Sequence, residues 1–127
     1  MKSSVCFLFG LLFSSLVFAG QEGMRYEVVL TRGGQVITSP TFLAEFDKMA
    51  RVEVGGLLAV EAIASTPDRD GNSLASMKIY LFENGQMQPI KEISVLASRG
   101  NAPSVQYSVP GTDALFTLKS TVVQLPE

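Results

Sequence analysis

The sequence holds no histidine and no tryptophan, and its one cysteine, Cys6, falls within the first twenty residues. Beyond that point a Ser-His-Asp triad, a cysteine nucleophile, a zinc site of the usual ligands and a histidine pH switch are all excluded. Disulfides are excluded too, so the fold must rest on its core alone. Charge is sparse at 17% of residues, with a formal net value of −2. That leaves no electrostatic footprint for nucleic acid or for an anionic membrane surface.

What is present begins with an amino-terminal leader. Met1-Lys2-Ser3-Ser4 carries one positive side chain. An apolar run follows from Val5 and ends in Val17-Phe18-Ala19, and polarity begins at Gly20-Gln21-Glu22. Basic, then apolar, then small is the order of a secretory signal peptide, and the run is shorter than the ~20 residues a spanning helix needs. Cleavage is expected between Ala19 and Gly20. The chain then divides into a signal peptide, 1–19, and one domain, 20–127, placed in the periplasm or secreted. Losing Lys2 makes the mature chain one unit more negative.

Beyond the leader no segment has helical periodicity. Alternating apolar and polar positions recur between turn residues, and such runs read as strands. Tyr26, Val28 and Leu30 share one face of the first run. Gly33-Gly34 marks a hairpin, 35–38 pairs back, Pro40 ends or kinks that strand, 41–46 is a second short extended run, and Asp47-Lys48 makes a turn. Val52 and Val54 alternate with Arg51 and Glu53. The stretch 57–65 is apolar on both faces and reads as a central strand. Ala75, Met77, Ile79 and Leu81 oppose Ser76, Lys78 and Tyr80. Asn84-Gly85 is the strongest hairpin dipeptide in the chain. Further runs follow at 87–98, 104–109 and 115–125. The expected fold is a small, mostly antiparallel β-sandwich of about seven to eight strands. Val52, Val54, Leu58, Val60, Met77, Ile79, Leu81, Phe116 and Leu118 are its expected core.

Candidate chemistry is thin. The turn Asp68-Arg69-Asp70-Gly71-Asn72 has alternating oxygen ligands, as calcium loops do, but its glycine stands fourth and the twelfth residue is Ile79 rather than an acid. It reads as an ordinary turn. Glu27, Glu45, Glu53 and Glu61 fall on strands, with no spacing that marks a catalytic pair. Ser39 has no Gly-x-Ser-x-Gly context, and neither glycine pair, Gly33-Gly34 or Gly55-Gly56, precedes the Gly-Lys-Ser/Thr of a phosphate loop. Met49, Met77 and Met87 read as core filling. No catalytic residue, metal ligand or cofactor is expected.

Val36-Ile37-Thr38-Ser39-Pro40-Thr41-Phe42-Leu43, then Asp47, Ala50 and Val52-Glu53-Val54-Gly55, resembles a signature of the outer-membrane secretin channels of Gram-negative bacteria. Leu58-Ala59-Val60-Glu61, Thr66-Pro67, Asp70-Gly71 and Leu74 to Leu81 look like a later secretin segment of a strand, a Thr-Pro turn and another strand. The likeness runs from Val36 to Phe82. Similar modules occur in exported tails of membrane metallopeptidases of the antibiotic-sensing type. Gly55-Gly56 joins the two segments where secretins insert their gate and membrane-crossing region. The resemblance therefore implies a hairpin module and a periplasmic setting rather than a pore.

Three functions remain open, the last of them an enzyme using only carboxylates, serine and lysine. The leading one is a non-catalytic, exported sandwich that contacts another envelope protein, through edge strands and turns. The alternative is a small-ligand or carbohydrate-binding module with Tyr26, Tyr80 or Tyr107 as platforms. Tyrosines gathered around a concave pocket favour the ligand module; a flat apolar edge without a pocket favours the partner protein.

Overall fold

Paired residues of positive φ set two of the hairpins. Gly33 and Gly34 (φ 57° and 83°) turn β1 (Glu22–Arg32) into β2 (Gln35–Thr38), and Asn84 and Gly85 (φ 54° and 82°) turn β6 (Asn72–Glu83) into β7 (Gln86–Ser98). Two successive positive φ values give a turn whose twist matches that of the flanking strands. The computed structural model from which these values come describes residues 21–126. The expected signal peptide, with its cleavage positions Ala19 and Gly20, lies outside the described residues.

The remaining strands are β3 (Thr41–Glu45), β4 (Ala50–Val54), β5 (Leu58–Ala64), β8 (Ser104–Ser108) and β9 (Ala114–Gln124). Every pairing is antiparallel. One sheet runs β2-β1-β9-β8, with β3 also on β1; the other runs β4-β5-β6-β7. The described residues thus form an all-β sandwich of nine strands, against an expected seven to eight. The runs on either side of Pro40 are separate strands, as the sequence reads. Having no N–H, proline interrupts the ladder, so β2 and β3 pair separately along the same edge of β1. Between them Val28 N–H donates to Pro40 O at 2.9 Å.

Alternation decides the core. Met24, Tyr26, Val28 and Leu30 from β1, with Phe116, Leu118 and Val122 from β9, face Leu58, Val60 and Ala62 from β5 and Met77, Ile79 and Leu81 from β6. Seven of the nine expected core residues are fully buried. Val52 and Val54 are only half-buried, because β4 is an edge strand with a neighbour on one side alone. The stretch expected to be central is indeed internal: β5 lies between β4 and β6. At the far edge, Lys91 of β7 reaches over the Tyr107 ring of β8, 5.5 Å from its centre, and links the two sheets.

Candidate functional site

The outer face of the second sheet is built by the residues that alternate with the core. Register aligns Arg51, Glu61, Lys78 and Glu92 in one row across β4, β5, β6 and β7. Its charges run plus, minus, plus, minus. Opposite charges directly across an antiparallel pair attract, which supports this register. Arg51 donates to Glu61 at 2.8 Å and to Glu53 at 3.3 Å. Tyr80 O–H donates to the other oxygen of Glu61 at 2.9 Å. The Arg51 guanidinium lies 5.3 Å from the centre of the Tyr80 ring and the Lys78 ammonium 5.5 Å. Hydrogen bonding by Tyr80, and then by Arg51, holds the Glu61 carboxyl below its ordinary range. It therefore stays ionised at neutral pH and is a poor proton acceptor.

Beside this row lies an apolar patch. Leu74 and Leu96 are direct cross-strand partners on β6 and β7. Ile63 sits opposite Ser76, one step diagonal from Leu74. Met49 precedes β4. These four are 49%, 55%, 37% and 63% exposed in that order. Between patch and charges is a depression of about 80 Å³ lined by Met49, Glu61, Ile63, Ser76, Lys78 and Glu92. Small-molecule sites usually enclose ~300–1,000 Å³, so the face is shallow by that measure. The sequence does not mark this patch, because single apolar residues on the polar side of a strand are common. Only register gathers them.

The other expected positions are dispersed. Tyr26 is a core residue, stacked on Phe42, so it is no platform. Tyr80 belongs to the charged row and Tyr107 to the β7–β8 edge, so the three tyrosines share no surface. Glu27 pairs with Arg25 on the opposite sheet, and Glu45 with Lys48. Asp68 closes its own turn, its Oδ1 accepting from the N–H groups of Asp70 and Asn72 at 2.9 and 3.0 Å. Among the described residues no group of three or more His, Cys, Asp or Glu is placed to hold a metal ion.

No protein-family model matches the chain, and no curated protein or solved structure does.

Three of the four sheet edges are blunted. The β2–β3 edge breaks at Pro40 but exposes Val36, Ile37 and Leu43. The short β4 carries Arg51 and Glu53, and the short β8 lies between Pro103 and Pro110. Along β7 the register shifts beside Pro89, leaving Ile90 as an extra residue, and Lys91 and Glu92 follow. Charge, proline and bulges are the features that discourage strand addition.

Proposed function

We propose that this protein is an exported, non-catalytic β-sandwich of the periplasm, works by protein–protein contact, and uses the outer face of its second sheet as the contact surface. The observation that carries the reading is the cluster of Met49, Ile63, Leu74 and Leu96, four exposed apolar side chains bordered by charge. An exposed apolar patch with a polar rim is the composition of a protein interface. Edge strands and turns, the surface expected from the sequence, remain candidate contacts beside it, with Val36, Ile37 and Leu43 exposed on the β2–β3 edge. Export rests on the leader, and an accessory role beside a secretion channel rests on the resemblance between Val36 and Phe82.

The test is site-specific photo-cross-linking in intact cells. A cross-linker replacing Leu96 should give discrete adducts, and one replacing Lys119, on the outer face of the first sheet, should not. Leu74→Glu should remove the adducts. Equal yields at the two positions would defeat the reading. Intact mass of the envelope form tests cleavage after Ala19.

A further inference from the structure

The charged row has a symmetry that selects a partner. Read across β4 to β7, the sequence Arg51, Glu61, Lys78, Glu92 changes sign when reversed about its centre. A second identical face, turned over about a two-fold axis parallel to the strands and running between β5 and β6, therefore meets it with every charge opposed. Glu61 faces Lys78 of the other copy, and Arg51 faces Glu92. The same rotation lays β4 and β5 over β7 and β6 and keeps each side chain at its own level, so Ile63 of one copy falls on Ser76 of the other, one row from Leu74 and Leu96. From this charge complementarity we infer that the occupant of the face is a second copy of this chain, docked face to face. The inference rests on the reading of this face as a contact surface and names its partner.

The geometry tolerates normal sheet packing. Aligned sheets cross at about 30°, which displaces the outer charge pairs by roughly 4 Å, within the reach of Arg and Glu side chains. Glu53 is the one further carboxylate in the neighbouring row of the face, and Arg51 of its own chain holds it. Size sets the strength. Four strands ~4.8 Å apart and five residues of ~3.4 Å rise give a footprint of roughly 320 Å². Standard interfaces bury about 800 Å² per partner, so the dimer belongs to the weak class, with a dissociation constant on the order of micromolar or above.

Sedimentation equilibrium of the processed protein, from micromolar to submillimolar concentration, is the experiment. The wild type should pass from monomer to dimer. Lys78→Glu and Glu61→Lys, each alone, set like charges face to face and should weaken association at least ~10-fold. An equimolar mixture of the two should recover it, because every pair across the mixed interface is again opposite in sign. Melting curves check that each variant folds. If Glu61→Lys does not, Arg51→Glu with Glu92→Lys makes the same test on the outer pair. A wild type that stays monomeric, a dimer indifferent to Lys78→Glu, or a mixture that fails to recover would each overturn self-docking. If the wild type is monomeric while the cross-linker at Leu96 still traps a different protein, self-docking alone falls. If that cross-linker also traps nothing, the contact reading falls with it.

Discussion

Tyr26 stacks on Phe42 across β1 and β3, ring centres 5.0 Å apart and planes inclined by 29°. The pair caps one side of the core, and the Tyr26 hydroxyl is buried there with no hydrogen-bond partner. Burial pushes its pKa from 10.0 up to about 12.

Two outcomes follow for Tyr26. Its folded pKa lies above its unfolded one, so the related stability is intact below pH 10 and is lost as pH rises toward about 12. Two units correspond to about 3 kcal/mol. Chemical denaturation across that range should show the decline, and Tyr26→Phe should reduce it. At neutral pH the same substitution removes an unsatisfied hydroxyl and should be neutral or stabilise by about 1 kcal/mol.

Core and surface positions on β6 should separate cleanly. Ile79→Ala and, on β5, Leu58→Ala should each cost about 2–5 kcal/mol in thermal or denaturant unfolding. Lys78→Ala, one residue away on the outer face, should leave the melting temperature nearly unchanged. Equal losses at 78 and 79 would contradict the register.

Gly23 is a test of close approach. A Cβ there would lie 2.3 Å from the Ala44 carbonyl oxygen and under 3 Å from the Leu125 side chain. The carbonyl is held in the β1–β3 ladder and has little room to yield. Gly23→Ala should cost about 1–3 kcal/mol, measured as a lower denaturation midpoint. Gly34→Ala, where only the positive φ opposes substitution, provides the comparison.

Acid should act through Glu61. Its pKa is lowered in the folded chain, so its contribution is present above the ordinary carboxylate value of 4.5 and is lost as pH falls through the folded pKa. Glu61→Gln should flatten that part of the stability profile in urea titrations at stepped pH.

Melting should be unchanged by calcium or a chelator. Asp68 Oδ1 already accepts two backbone N–H groups within its own turn, and no acid closes the loop as position twelve of a calcium loop requires.

The sequence by itself determined the class of fold, the positions of the turns and the inner face of the long strands. These are local properties: a period of two, glycines or asparagine where φ must be positive, proline where a ladder stops. It also excluded histidine-based chemistry throughout and cysteine-based chemistry beyond Cys6. Tertiary structure decided the rest. Whether Val52 is buried depends on β4 being an edge, and whether Tyr26 is a platform or a core residue depends on which face of β1 meets the other sheet. The row Arg51, Glu61, Lys78, Glu92 joins residues up to 41 positions apart. Leu74 and Leu96 become neighbours only through the register of β6 and β7. Such surfaces come from strand pairing, a non-local choice that no window of sequence contains.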